Sequence, residues 1–441
     1  MWRRVLVVGI FVVFIFAIAL MAHNDRKNSP IRKVQEEIER LKREGEPTSW
    51  QEIAPPVPKH LDGTPLYRKA FAQLEDAQRK FARQIWQTYN PKVVQAAKPA
   101  LQTLRKALEF PHLRLIEKPE EIFLGQGVGQ AFPFREFARL LRAEAIQQKR
   151  RGNLNGAVES CLTVLKLSRR IGDEAFLIRF LIQRLIFVIG TRALWDEILS
   201  DADTSATAYR AILTELKAWD IDRDFVRALK GERFVVNEMF EFWALRMSQK
   251  LRSRLDNFAV VGAVDFLLSP RNWFAENQLL MLEFYRQLIS VAQKGVPYDR
   301  QQVSQLVAEF KRKCRKGWIV TLGKWKIAWR HYLFAETLIP IHDAIFDRVT
   351  DTHALQRVTV VALALRLYRK ENGRYPENLQ QLVPKFLPSV PVDPYDGKPI
   401  RYRKLEKGFK VWSVGGNRKD EGGVKVRDWW RRGDLVLESK I

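Results

Sequence analysis

Cysteine, histidine and methionine are scarce in this chain: two, six and five among 441 residues. Cys161 and Cys314 each fall inside a helical pattern, so they give no disulfide framework and read as small buried apolar residues. His331, His342 and His353 recur every eleven residues. Each such step along a helix rises about 16 Å, so the three cannot share an ion. No His-Glu-x-x-His, Gly-x-Ser-x-Gly or Cys-His arrangement occurs. Gly125, Gly127 and Gly129 lack the preceding strand and the Gly-Lys-Ser/Thr ending of a phosphate loop, and read as a connection between helices. Glu238 and Glu241, with Glu232 shortly before, resemble part of a carboxylate bundle. The only Glu-x-x-His string, Glu109-Phe110-Pro111-His112, contains a proline and cannot be a helical ligand pair. Pairing with Arg233 and Arg246 or with solvent accounts for these glutamates. The sequence therefore predicts a protein that is not an enzyme and has no catalytic residues.

Acidic residues are also in deficit: 50 against 75 basic ones, a formal net charge of +25. That excess favours anionic partners such as lipid head groups, acidic cell-wall polymer or nucleic acid. The positive charge is spread along the chain without a recognition module, which argues against nucleic acid. Residues Met1 to Ala22 contain no acid at all, and Val5–Ala22 carries no charge. At about 1.5 Å per residue this stretch just spans a hydrocarbon core of about 30 Å. Ala17, Ala19 and Ala22 fit a signal cleavage site; the length of the run and its basic exit fit an uncleaved anchor, which the length criterion favours. Arg3 and Arg4 before the run are balanced by Arg26, Lys27, Arg32 and Lys33 after it.

Beyond the anchor (residues 1–22), residues 23–62 read as a short charged helix over Ile31–Arg43 followed by the stiff linker Ala54-Pro55-Pro56-Val57-Pro58. Residues 63–352 follow the 3.6-residue period almost throughout. Tyr67, Ala70, Phe71, Leu74, Ala77 and Phe81 form one face, and Asn90-Pro91 opens a second helix. Ala138, Leu141, Ala145 and Ile146 form one stripe; after a Gly152-Asn153 turn, Ala157, Cys161, Val164, Leu165 and Leu167 form the returning one. The pair is similar to a single tetratricopeptide hairpin, without a second copy at that period. Phe176–Trp195 is apolar except for Arg179, Arg184 and Arg192, which excludes an easy membrane span and predicts a central buried helix. The body reads as an array of α-helical hairpins.

In Lys316–Phe334, Trp318, Leu322, Trp325, Trp329 and Leu333 fall on one helical stripe, surrounded by Lys316, Lys324, Lys326 and Arg330. Two readings stand. The tryptophans pack in a core, or Trp318, Trp325 and Trp329 with Lys326 and Arg330 form a face for membrane lipid or a partner.

Residues 353–441 change character. A helix ends at Asn372-Gly373-Arg374-Tyr375-Pro376. Asp393-Pro394-Tyr395-Asp396-Gly397-Lys398-Pro399 turns into a strand. Val411-Trp412-Ser413-Val414-Gly415-Gly416-Asn417 and Asp420-Glu421-Gly422-Gly423 follow, before Gly433-Asp434-Leu435-Val436-Leu437. This order resembles the globular C-terminal domain of the major pseudopilins of type II secretion systems, over roughly the last ninety residues. The resemblance implies an α+β unit and a calcium ion held in its last loop, here by Asn417, Asp420 and Asp434. Asn417 stands where the family has an aspartate, and the alternative is that this loop merely shapes a turn. The processing site of that family, a glycine followed by an apolar stretch with a glutamate at its fifth position, is missing, so filament assembly is not expected.

The expected fold is mainly α: an N-terminal membrane anchor, a helical hairpin array and a small C-terminal pilin-like α+β domain. The expected role is that of a membrane-anchored envelope scaffold on the inner membrane, with most of the chain extracytoplasmic and secretion or pilus-like proteins as partners. The alternative is a basic helical module for anionic lipid or cell-wall polymer.

Overall fold

Two helix junctions follow directly from the local sequence. Asn90 accepts hydrogen bonds from the Lys92 and Val93 amides and opens the second long helix of the body, with Pro91 in its first turn. Gly152 has a φ of 78° and Asn153 accepts from the Gly156 amide, which turns one helix into the next.

The structure, a computed structural model, describes residues 29–123, 132–255, 270–314, 317–322, 325–330, 344–426 and 432–441. The expected anchor, His331 and His342 lie outside them. Among the described residues no helix is long and apolar enough to cross a membrane. The helices used below are α1 (Pro30–Arg43), α2 (Thr64–Arg79), α3 (Pro91–Ala107), α4 (Phe132–Arg150), α5 (Leu154–Ile171), α6 (Leu177–Arg192), α7 (Ala206–Lys217), α8 (Ile221–Leu255), α9 (Pro270–Ala292), α10 (Arg300–Cys314) and α11 (Ile345–Asn372). The strands are β1 (Gly317–Leu322), β2 (Trp325–Arg330), β3 (Arg401–Lys404), β4 (Phe409–Ser413) and β5 (Leu435–Ser439). The chain is mainly helical with a small three-stranded antiparallel sheet near its C-terminus, as the sequence leads one to expect.

The described residues form two compact units. The first lies within residues 1–53, 233–287 and 306–339. In it Val34 and Leu41 bury one stripe of α1, Arg233 pairs with Glu46 at 3.0 Å, and Phe284 of α9 stacks on Phe310 of α10 at 4.1 Å. Arg233 therefore serves Glu46 rather than the glutamates beside it on α8.

The same unit contains a correction. The described part of the expected helical stripe is not helical: β1 and β2 form an antiparallel pair, with Trp318 opposite Trp329, Leu322 opposite Trp325, Thr321 opposite Lys326 and Gly317 opposite Arg330. The physical reason lies in the run itself. Trp318-Ile319-Val320-Thr321-Leu322 and Trp325-Lys326-Ile327-Ala328-Trp329 are rich in β-branched and aromatic residues, and two residues, one of them glycine, separate them. A tryptophan spacing compatible with a helical stripe is equally compatible with a two-residue hairpin.

The second unit lies within residues 54–232, 288–305 and 340–441. Tyr67, Ala70, Leu74, Val93, Ala97, Leu101, Phe134, Phe137, Leu141 and Val164 belong to one continuous apolar core built from α2 to α6. Helix α6 is the buried helix expected, and each of its arginines has a carboxylate. Arg179 is fully buried at 2.8 Å from Glu174, Arg184 stands 3.6 Å from Asp351, and Arg192 stands 2.7 Å from Asp196. A buried guanidinium without such a partner would cost several kcal/mol, on the order of the effective penalty for an ion in a protein interior. After α6 the chain widens into a π-helical turn over Ala193–Leu199, whose Trp195 carbonyl accepts from the Ser200 amide five residues on.

Helix α11 lies in this unit and is buried nearly from end to end, from Ile345 to Leu367. The expected boundary at residues 352/353 thus falls inside α11, whose neighbours are α6 and α7 as well as β4 and β5. The sheet has the order β3-β4-β5, with Arg401 opposite Trp412 and Val411 opposite Leu437.

Candidate functional site: the C-terminal turns

Each motif of residues 372–434 makes a joint. Gly373, at φ 73°, ends α11, and its amide donates to the Arg369 carbonyl at 2.8 Å. Two residues on, the buried Tyr375 donates its hydroxyl to the Ile441 carbonyl at 2.7 Å and sets its ring edge-on to Phe409 at 5.0 Å. The Pro376 carbonyl accepts from the Tyr402 hydroxyl at 2.7 Å. The Asn-Gly-x-Tyr-Pro step therefore pins the end of α11 to the sheet.

The Asp393–Pro399 turn closes through the Gly397 amide, which donates to the Asp393 carbonyl at 2.9 Å. Its Tyr395 hydroxyl donates to the Asp351 carboxylate on α11. Asp351 also faces Arg184 and Arg348, at 3.6 and 3.4 Å. Burial pushes the pKa of both Tyr395 and Asp351 up.

Asp393 is fully buried, and four donors converge on it: the Tyr395 amide at 3.1 Å, the Ser413 hydroxyl at 2.9 Å, the Val414 amide at 2.9 Å and Arg401 Nη1 at 2.6 Å. Burial raises its pKa against the pull of these donors. Arg401, the first residue of β3, also pairs with Asp396 of the same turn, and its Nε stands 3.4 Å from Asp420 Oδ2. For Asp396 burial works upwards, but the Arg401 bond and the Lys398 amide hold the carboxyl below its ordinary range. The same balance holds for Asp420, through Trp412 Nε1 and the Gly422 amide, both at 2.9 Å, and through Arg401.

The residues expected to hold calcium do not fit it. Asp434 is buried and turns one oxygen to the Gly423 amide at 2.8 Å and the other to the Glu421 amide at 3.4 Å. Burial and the neighbouring Glu421 push its carboxyl up to about 6. Asn417 accepts from the Lys419 amide at 3.1 Å and donates to Glu421 at 2.6 Å. Asp420 faces an indole, an amide and a guanidinium. Calcium requires about six to eight oxygens aimed at one point, whereas these oxygens are aimed at N–H groups. Among the described residues no group of three or more His, Cys, Asp or Glu side chains is arranged for a metal ion. Asn417 therefore shapes a turn.

No family model, no curated protein and no solved structure matches this chain.

The other expected face, Trp318, Trp325, Trp329, Lys326 and Arg330, is placed on the β1–β2 hairpin of the first unit, with Trp318 and Trp329 directly opposite and Lys326 and Arg330 on the same strand, β2. These residues belong to a different unit from the C-terminal turns.

One cluster escaped the sequence. His353 of α11 is buried, with Nε2 3.0 Å from Asp222 Oδ1 at the start of α8, and the Tyr298 hydroxyl donates to the same oxygen at 2.8 Å. Burial works upwards on Asp222, yet its bonds to His353 and Tyr298 hold its carboxyl below the ordinary range. Burial and the carboxylate push the Tyr298 hydroxyl up. The arrangement orients an imidazole with a carboxylate and joins α8, α11 and the segment before α10. His353 and Asp222 are 131 residues apart, so no local signal announces the pair.

Proposed function

We propose that this protein is a non-enzymatic scaffold of the cell envelope. It is held in the inner membrane by Val5–Ala22, with most of its chain outside the cytoplasm, and it engages other envelope proteins, with secretion or pilus-like machinery as the class the motif order points to. The observation that carries this reading is the use of the C-terminal motif residues. Asp393, Tyr395, Arg401, Asp420 and Asp434 commit their polar atoms to one another, to Asp351, Trp412 and Ser413, and to backbone amides. Such a set of joints suits a rigid module that presents a surface. Catalysis would require an acid, base or nucleophile turned towards a substrate.

The test is in-cell crosslinking followed by purification from detergent-solubilised membranes. Reproducible recovery of secretion or pilus components is expected, with loss on deletion of residues 373–441. Cleavage of the chain by protease added to intact spheroplasts is expected as well. Full protection in spheroplasts overturns the topology, and an empty crosslinked fraction overturns the partner class.

The net charge of +25 favours a second reading, a module for anionic lipid or cell-wall polymer. Salt-sensitive binding to anionic liposomes or to isolated polymer, with no protein partner recovered, distinguishes it.

A further inference from the structure

Ile85 and Phe132 are large apolar side chains left 48% and 54% exposed in the second unit. A chain of contacts places them on one surface. The Arg135 guanidinium lies over the Phe132 ring at 5.5 Å, and Arg135 Nε stands 3.8 Å from Glu136 Oε1. The other Glu136 oxygen accepts from the Trp86 indole at 3.3 Å and from the Tyr89 hydroxyl at 2.8 Å. Ile85 precedes Trp86 in the short helix Arg83–Trp86. Trp86 is buried, so Glu136 holds this helix against the start of α4 and leaves Ile85 outside. Tyr89 follows with a φ of 48°, in the left-handed region. A bulky residue rarely adopts that conformation, and such strain persists only where surrounding contacts over-determine it. Glu136 and Arg139, both bonded to the Tyr89 hydroxyl, supply those contacts.

The charge left over around these side chains is positive. Lys80 and Arg83 are exposed, and Arg135 and Arg139 partly so. Glu136 is 14% exposed and committed to its partners, while Glu75 and Asp76 at the end of α2 pair with Arg79. The core of a stable protein interface is contiguous apolar area depleted of charge. Here guanidiniums interrupt the apolar surface. That arrangement suits single side chains entering among lipid head groups whose phosphates meet the arginines. We propose that Ile85 and Phe132, with Lys80, Arg83, Arg135 and Arg139, form a docking surface for anionic lipid. The inference rests on the reading of the protein as a module for anionic lipid and assigns that reading a surface.

The experiment uses the full chain in nanodiscs of phosphatidylcholine, mixed with separate vesicles of phosphatidylcholine with or without phosphatidylglycerol. Cys161 and Cys314 are buried, so a nitrobenzoxadiazole label on Gln84→Cys, an exposed position beside Ile85, reports this surface. With phosphatidylglycerol present the nanodiscs are expected to float with the vesicles and the label emission to rise about twofold or more, both effects weakening in high salt. Vesicles of phosphatidylcholine alone should give neither. Ile85→Ser/Phe132→Ser is expected to melt within about 2 °C of the parent, because both side chains are exposed, and to lose both effects. Should that pair fail to fold, Lys80→Ala/Arg83→Ala takes its place and is expected to lose roughly half of the flotation or more. A parent that does not float overturns the anionic-lipid reading and this inference with it. Flotation and emission unchanged in the substituted chain leave that reading standing and overturn this surface. An emission rise without vesicles that grows with protein concentration marks a contact between copies and overturns it as well.

Discussion

Glu232 shows how much a single half-buried acid can weigh in this protein. It stands in α8, and its carboxylate accepts the Leu177 amide at 3.2 Å, capping α6 from a distance, while burial pushes its pKa up to about 7. A carboxyl whose folded-state pKa lies above its unfolded value binds its proton more tightly when folded. Its ionisation therefore subtracts stability, negligibly below the unfolded value near pH 4.5 and fully above about 7. Glu232→Gln keeps the acceptor and removes the charge. The variant is expected to match the parent in stability at pH 4 and to exceed it at pH 8, by an amount on the order of 1–3 kcal/mol. A melting series from pH 4 to 8 in which the two curves stay parallel would show that the acid is not buried. Asp393 differs in its partners, with four donors converging on it. Asp393→Ala leaves Arg401, Ser413 and two amides without their acceptor and is expected to destabilise by about 3–5 kcal/mol, read by chemical denaturation.

At the scale of elements, two glycines separate packing from backbone conformation. Gly231 sits inside α8, where a Cβ would meet the Ala175 carbonyl oxygen at 1.7 Å. Helix propensity alone would favour alanine there by about 1 kcal/mol. The collision is with backbone and outweighs that gain, so Gly231→Ala is expected to destabilise by about 1–3 kcal/mol. Gly373 has open space around it but a φ of 73°, so Gly373→Ala is expected to cost about 1 kcal/mol through conformation alone. Thermal melts of both variants check the pair; an unchanged Gly231→Ala would mean that α8 and the Ala175 segment lie further apart. The second of these glycines was legible in the sequence, because Asn372-Gly373 after an apolar helix announces its own cap, and the first was not. The buried α6 with its three arginines was legible too, since charge at intervals in an apolar run permits few structures. The hairpin was misread because the tryptophan spacing fits both periods, and β-branched content is the better guide in a short run. Tyr395 with Asp351, and Arg401 with Asp420, were beyond reach, because their partners come from different turns and helices and only the folded chain brings them together.

At the scale of the molecule, the second unit is assembled from three separate stretches of sequence, and α11 is its common member. Buried from Ile345 to Leu367, α11 presents apolar residues to α6 and α7 as well as to the sheet. A fragment of residues 353–441 would keep the sheet's side of the helix and expose the rest. It is expected to lack a cooperative melt and dispersed amide resonances, although its motifs are intact. A cooperative transition in that fragment would instead make the C-terminal turns a domain in their own right.

The π-helical turn at Ala193–Leu199 adds an order of events. Trp195 donates its indole N–H to the Glu438 carbonyl at 3.2 Å, Arg366 donates to the Leu199 carbonyl at 2.6 Å, and the Lys440 amide donates to the Ser200 carbonyl at 2.9 Å. A ribosome makes this turn long before it makes β5. At roughly 5–20 residues per second, some two hundred and forty residues of synthesis pass before the partners of Trp195 and Ser200 emerge. Until then Trp195 lacks its acceptor and the Ser200 carbonyl its donor, so the π-helical turn waits for β5.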